Sequence, residues 1–597
     1  MAWTLIRGGT VVDGTGSPPF QADVCIRDGV IDAVGPDLSA PEGAQVMDAA
    51  GKLITPGFIN MHSHSDCSAA MYPNMESTLG QGITTEFAGH CGLGVAPVQH
   101  SWLYMFPEKK AFTKVMPEPP GGINPYNAYL VPTQRLREPF AQTYGQELDW
   151  TTYGQFLEHL RRVGLGANLA VVAGQAQIRL QAMGTDYHRD ATETEIAAME
   201  GALSEAMDGG ALGLSLGLDY EPGLFAGREE LLRLMKLVAA RGGIVTAHTR
   251  SRSHPYYGHA QSFLDGLREF LDLGRESGVR IHVSHIQNGY NVTPAHDGLI
   301  RAAVAKTLEE LDRARQAGVN VTWDVIPKYA YGPFHYPMAA SLFQPYVERC
   351  GGCAAFSRAL TLPDFRRQVV EEIRTGRHPS QGVFTRFDPQ ADPAWDTRYR
   401  FTRVQRAGCV GKTIREAAQG ADSLELLLDV LTEDPYAAMI SLGRRPEHTP
   451  DRDAFVARTE ATIGLDTWTL DYDAALSEGD LPLECGSPAT YEGMTVFLET
   501  ERDKGVAIEE TVRKLTGNAA RTLGLTDRGF VSSGMSADLL VLDWEHFSAR
   551  ENLADPRHGP QGLDYVLVAG QTAVDHGVHT HVRSGTVLGP EHRKGEN

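Results

Sequence analysis

The chain has 597 residues, 42% hydrophobic and 22% charged, with a formal net charge of −21. That length exceeds one compact core and predicts roughly three or four lobes, with the composition of a soluble globular protein. The acidic balance argues against nucleic acid or an anionic membrane surface as the main partner, and no apolar run is long enough to span a bilayer. Seven scattered cysteines do not make a disulfide framework, and Met1–Arg7 lacks an export-signal pattern, so a reducing, cytoplasmic setting is expected. In chain order, Leu5–Val12 and Ala22–Ile31 read as strands, the second interrupted by an Asp28-Gly29 hairpin signal. The far end has the same texture in Ser536–Asp543 and Asp564–Gly570. Two β-rich ends around a different middle predict a β-sandwich assembled from both termini.

The middle alternates strands and helices. Ala167–Gly174 is a buried strand; Thr192 opens a helix, with Glu195 completing a capping box, that runs to Gly209-Gly210. Strands follow at Ala211–Ser215, Gly243–His248, Val279–His285 and Val319–Asp324, each separated by a helical stretch. Repeated βα units predict a parallel sheet, closed as a (β/α)8 TIM-like barrel. Two stretches break the rhythm, at about 100–148 and about 333–460, and read as insertions at the barrel mouth. The expected division is 1–55 for the first part of the sandwich and 56–500 for the barrel with its insertions. Residues 501–597 then hold the last barrel helix and the rest of the sandwich.

The most informative stretch is Leu53–His64, an apolar β-prone run that ends in His62-Ser63-His64. On a strand, residues i and i+2 share a face, so both imidazoles can reach one ion. Cys91 follows the strand-like Thr84–Gly89 in a Gly-His-Cys-Gly turn, His248 and His285 each end a strand, and Asp466 ends Ala461–Leu465. In a barrel these ends converge on one mouth. Nitrogen, thiolate and carboxylate donors together suit zinc better than magnesium or calcium.

These residues resemble the amidohydrolase superfamily and, within it, the N-acyl-D-amino-acid deacylase (D-aminoacylase) family. The marks are Pro56-Gly57-Phe58-Ile59 leading to His62 and His64, Gln81–Thr85, Cys91-Gly92 with Ala96-Pro97, Gly210–Gly223 including Tyr220, Ser284-His285, and Gly529 through Ala537-Asp538. The resemblance implies a zinc enzyme in which a cysteine replaces the carboxylated lysine of many relatives. In keeping with this, no lysine occurs from Thr151 through Met235. It also implies one tight zinc site of Cys91, His248 and His285, with His62, His64 and Asp466 forming a second, weaker site or assisting the first. Zinc would activate water and polarise the scissile carbonyl, and Asp466 would be the general base and then the acid for the leaving nitrogen.

The substrate positions depart from the family. Its Ser-His-x-Lys is Ser284-His285-Ile286-Gln287 here, its Asp-Val-Tyr-Pro-Tyr is Asp324–Lys328, and its His-Pro-Arg is matched by Ser487-Pro488-Ala489. His90 stands at an asparagine position, and Gln175 where histidine is frequent. The family uses that lysine, tyrosine and arginine to hold a substrate carboxylate. The expected substrate contacts are therefore Tyr220, Arg250, Gln287, Lys328 and Ala489, with Arg250, Arg252 or Lys328 compensating for the lost cations. Cys350 and Cys353 read as unpaired loop cysteines, and His254, His259 and His282 as surface or packing residues.

The resulting expectation is a zinc-dependent hydrolase of a non-peptide amide bond in a small molecule, with homo-oligomerisation left open. The alternatives are hydrolysis of a cyclic amide or hydantoin-like imide, which needs no α-carboxylate, and a non-catalytic amidohydrolase-fold assembly protein.

Overall fold

The computed structural model describes residues 2–39, 41–104, 111, 115, 129–219, 221–250, 263–286, 297–327, 339–377, 389, 393–441, 450–474, 487–550 and 556–593. Both ends of the chain enter one nine-stranded sheet. Trp3–Val11 pairs antiparallel with Phe20–Arg27, which turns back into Val30–Gly35. The turn residues Asp28 and Gly29 hold φ of 48° and 84°. Positive φ at both central positions matches the right-handed twist of the flanking strands, which is the physical content of the Asp-Gly signal. Leu53–Pro56 runs parallel to Trp3–Val11 and antiparallel to Leu539–Leu542, and Leu563–Val568 and Gln571–Asp575 continue the sheet. The strands expected as a sandwich are thus hydrogen-bonded as one sheet. It branches at Trp3–Val11, whose other half pairs with Gln45–Asp48. Ile6, Val24, Ile26, Ile54, Val541 and Leu567 form its buried core.

Outside the two interruptions, the strands described in the middle of the chain pair in parallel. Phe58–Ser63, Ile83–Ala88 and Asn168–Val171 form one sheet, with Val587–Leu588 added at its edge. Ala173–Gly174, Gly213–Gly217, Ile244–His248, Arg280–Val283, Val321–Val325 and Thr462–Ile463 form another. Hydrogen bonds link the two sheets at both ends: Leu212 donates its N–H to the Val171 carbonyl, and Asp466 donates to the His62 carbonyl. Burial on both faces lets Phe58–Ser63, Gly213–Gly217 and Ile244–His248 be buried at every position, polar residues included. The covering helices include Glu193–Gly209, which opens with the complete Thr192–Glu195 capping box read from the sequence.

The first interruption contributes an antiparallel pair, Ser101–Tyr104 with Tyr129–Pro132, and the helix Thr133–Tyr144. The second is more than helices and loops. Phe343, Phe356, Phe401, Leu427 and Met439 belong to a hydrophobic core separate from that under the parallel strands. Cys350 closes the helix Gln344–Cys350 and Cys353 opens the helix Cys353–Leu360, so both cysteines, neither in a disulfide, sit at helix ends rather than in a loop. Among the described residues, no helix is long and apolar enough to cross a membrane.

Candidate metal centre

Six donor side chains are carried at or just past the ends of parallel strands, and local contacts set each of them. His62 lies within Phe58–Ser63 and His64 directly follows it. The turn carrying Cys91 is pinned from two sides: Asp66 Oδ1 accepts the Gly89 N–H at 3.0 Å, and Ser215 Oγ accepts the Gly92 N–H at 3.0 Å while donating to the Gly89 carbonyl. Asn60 accepts the Leu465 N–H at 2.9 Å and donates to Glu86, which seats the segment ahead of Asp466. Cys91, His285 and Asp466 have φ of 58°, 38° and 56°. A left-handed backbone is uncommon outside glycine, and three such residues meeting at one point mark a functional constraint.

Ligand atoms of His62, Cys91, His285 and Asp466 lie within 4.8 Å of one another, all buried. Cys91 Sγ is the shared contact, at 3.3 Å from His285 Nε2, 3.5 Å from His62 Nε2 and 3.9 Å from His248 Nδ1. Asp466 Oδ1 lies 3.1 Å from His64 Nε2 and 3.4 Å from His62 Nε2, and its Oδ2 is 4.0 Å from His285 Nε2. The cluster is strongly polarised. Burial alone would raise the Cys91 thiol, but His285, His62 and His248 hold it well below its ordinary value. Burial likewise opposes ionisation of Asp466, and His62 and His64 override it and keep the carboxylate charged. In turn, burial would lower His64, yet Asp466 and Cys91 bring it up to about 9, and Asp324 with Cys91 raises His62. Two anions are thus gathered among imidazoles, whose protons stand where a divalent cation would supply the same countercharge.

The parts of the site expected from sequence fare differently. His62, Cys91, His285 and Asp466 come together, with His64 and His248 one contact further out. The Arg250 guanidinium is engaged elsewhere: Nη1 donates to Leu224 O at 2.5 Å, Nη2 to Ala226 O at 3.1 Å and Nε to Glu269 at 3.0 Å. It braces the segment after Gly217 instead of opening toward the donor cluster. Ala489 is buried in the first turn of the helix Pro488–Asp503, beneath the Ser487 cap. Tyr220, Gln287 and Lys328, with Arg252, His254 and His259, lie outside the described residues. His282, read as a surface or packing residue, is neither exposed nor apolar in its contacts, since its Nε2 is 3.0 Å from Asp324 Oδ1. Sequence reasoning also passed over Asp324 and Asp219, both buried, as contacts of His62 and His248. An acid inside the largely apolar Val321–Val325 is the signal that was available, because an isolated carboxylate is rarely buried without a partner. His90 packs against His62 with ring centroids 4.0 Å apart and planes tilted by 35°, and burial and the His62 charge hold its pKa well below the ordinary value.

A family model described as "Amidohydrolase family" matches residues 45–322 and 476–574. The chain belongs to the amidohydrolase family. This amidohydrolase is therefore an enzyme, a hydrolase of carbon–nitrogen bonds other than peptide bonds. His62, His64, Cys91, His248 and His285 fall inside the matched segments and Asp466 between them. It is 27% identical over 590 residues to an N-acyl-D-glutamate deacylase of Alcaligenes xylosoxydans xylosoxydans, covering 98% of this chain and 96% of the relative. A D-aminoacylase of the same organism is 25% identical over 587 residues, covering 98% and 97%. Among solved structures, an N-acyl-D-glutamate deacylase from Bordetella bronchiseptica, complexed with zinc and a phosphonate inhibitor, superposes with a TM-score of 0.66. It shares 24% identity and covers 98% of this chain and 99% of that one. The likeness establishes a shared mixed α/β fold along nearly the whole chain.

Proposed function

We propose that this amidohydrolase is a zinc-dependent hydrolase of a small-molecule amide, D-aminoacylase-like in its reaction. The observation that carries the reading is the buried cluster in which one thiolate, one carboxylate and two imidazoles lie within 4.8 Å. The donor set fits zinc: thiolate and imidazole are softer than magnesium or calcium prefers, and two anions match a divalent charge. Cys91, His248 and His285 would hold the tighter ion, and His62, His64 and Asp466 a weaker one. When bound, zinc supplies Lewis acidity for the scissile carbonyl and for the attacking water. Asp466 removes the proton of that water on its carboxylate, steadied by His64 at 3.1 Å, and returns it to the leaving nitrogen. We read the two parallel sheets, linked through His62 and Asp466 at one junction, as a (β/α)8 barrel of residues 56–500 with its donors at the C-terminal mouth. Residues 1–55 and 501–597 would form the flanking β domain. Free thiols at Cys25, Cys67 and Cys409 fit a reducing compartment such as the cytoplasm.

A second reading rests on Gln287, Lys328 and Ala489 in place of a carboxylate grip, and on an Arg250 already committed to Leu224, Ala226 and Glu269. These favour a substrate without an α-carboxylate, such as a cyclic amide or imide. The test is metal analysis of the zinc-reconstituted protein, followed by mass-spectrometric screening of N-acyl-D-amino acids against hydantoins and dihydropyrimidines. Zinc near stoichiometric with acyl-amino-acid turnover is expected. Turnover confined to rings would replace the first reading with the second, and protein that takes up no zinc would end both.

A further inference from the structure

Two carboxylates outside the donor cluster meet its histidines from behind. Asp324, fully buried on Val321–Val325, places Oδ1 at 3.0 Å from His282 Nε2 and at 3.5 Å from His62 Nδ1. His282 is held in turn by Thr322 Oγ1, 2.8 Å from its Nδ1. On the other side of the centre, Asp219 Oδ2 lies 3.3 Å from His248 Nε2. The two histidines are therefore turned in opposite senses. His62 faces its carboxylate with Nδ1, at ion-pair distance, and Cys91 and Asp466 with Nε2, whereas His248 faces its carboxylate with Nε2 and Cys91 with Nδ1. A neutral imidazole carries one N–H and one lone pair. The nitrogen facing a carboxylate keeps the hydrogen, which leaves the other as the donor.

The packing around Asp324 reinforces the point. A Cβ at Gly464 would fall 2.3 Å from His62 Cβ and 2.5 Å from Asp324 Oδ2, so only a glycine lets the carboxylate and the imidazole approach side by side. Asp324 Oδ2 has no hydrogen-bond partner of its own. A carboxylate buried only to stabilise the core would have its oxygens satisfied by backbone or side-chain donors. Here its contacts are two imidazoles, one of them in the donor cluster.

We propose that Asp324, backed by His282, and Asp219 are positioning residues that impose opposite tautomers on two histidines of one metal centre: Nδ1–H on His62 and Nε2–H on His248. This rests on the metal reading above, and the experiment separates the two. Full-length wild type and the variants Asp324→Asn, Asp219→Asn, His282→Gln and His282→Leu are prepared metal-free. Zinc affinity is then measured by competition with a chromogenic chelator, the visible spectrum is recorded after cobalt loading, and the metal-free melting temperature is followed. Loss of such an orienting partner costs about 10–100-fold in metal affinity. That loss, with a shifted cobalt spectrum, is expected for Asp324→Asn, Asp219→Asn and His282→Leu. His282→Gln, which keeps an N–H for Asp324, is expected to bind close to wild type. Wild-type affinity and spectrum in Asp324→Asn and Asp219→Asn would overturn the proposal. So would equal losses in His282→Gln and His282→Leu accompanied by equal drops in metal-free stability, which would mark His282 as packing alone. A wild-type protein that binds no zinc would overturn the metal reading itself.

Discussion

At the scale of single residues, the centre gathers side chains whose charges and backbone are costly apart and consistent together. Cys91 and Asp466 are both anionic, both buried and both left-handed in φ, and only the surrounding imidazoles make either arrangement tolerable. In the proposed mechanism, Asp466→Asn removes the proton acceptor while keeping an oxygen at the candidate metal site. It is expected to retain zinc and lose about 10²–10⁴ in turnover, and wild-type rates on a substrate found by screening would refute the assignment. Cys91→Ala removes the donor common to His62, His248 and His285, so atomic absorption should find that it purifies without zinc. Glu86, directly behind the donor cluster, offers a test of stability instead of turnover. Burial pushes its carboxyl up to about 7, against the hydrogen bonds from Thr78, Ser63 and Asn60. The folded chain then holds this proton more tightly than the unfolded one, so stability is lost as pH rises from the ordinary carboxyl range through about 7. Glu86→Gln should abolish that slope. Urea midpoints at about pH 5 and about pH 8.5 should show the wild type losing about 2 kcal/mol more than the variant. Parallel pH dependence in both would place the titration elsewhere.

At the scale of elements, local rules account for what was legible. The Asp28-Gly29 turn and the Thr192–Glu195 capping box are decided by neighbours within a few residues, and both form as read. Thr192→Ala is expected to cost about 1 kcal/mol, visible as faster hydrogen exchange of the first-turn amides of Glu193–Gly209, while the amides of Arg228–Ala240 keep their protection. The second interruption was less legible. Its helices could be anticipated, but its separate core joins Phe343 to Phe401 and Met439 across stretches with no shared periodicity. The buried contact of His282 was hidden for a related reason. Its strand neighbours are apolar, and its partner Asp324 comes from the next strand, 42 residues on.

At the scale of the whole molecule, the terminal sheet is bolted to the parallel strands by buried polar contacts. Asp538 Oδ2 accepts from Arg528 Nη1 at 2.7 Å and from Asn168 Nδ2 at 3.0 Å, while Oδ1 accepts the Ala569 N–H at 2.7 Å. Asn168 begins a strand whose edge also receives Val587–Leu588 from the far end of the chain. Asp538→Ala strands the Arg528 charge next to Asp527 alone. It is expected to lower unfolding stability by about 3 kcal/mol in urea titration, and an unchanged midpoint would show that the junction is not held there.

What the sequence alone determined is local or repetitive: βα alternation, strand-end histidines, the lysine-free stretch before Lys236, and caps and turns set by nearby residues. It therefore singled out the candidate donors, since each stands at or just past a strand end. Which donors meet was decided by the tertiary structure, because His64 and Asp466 are 402 residues apart and Cys91 and His285 are 194 apart. The same holds for what stands behind them. Arg250 is drawn to carbonyls of another loop, and Asp324 and Asp219 turn His62 and His248 in opposite senses. Such contacts depend on how strands stack and how closely a glycine lets backbones approach, and neither leaves a periodic trace in the chain.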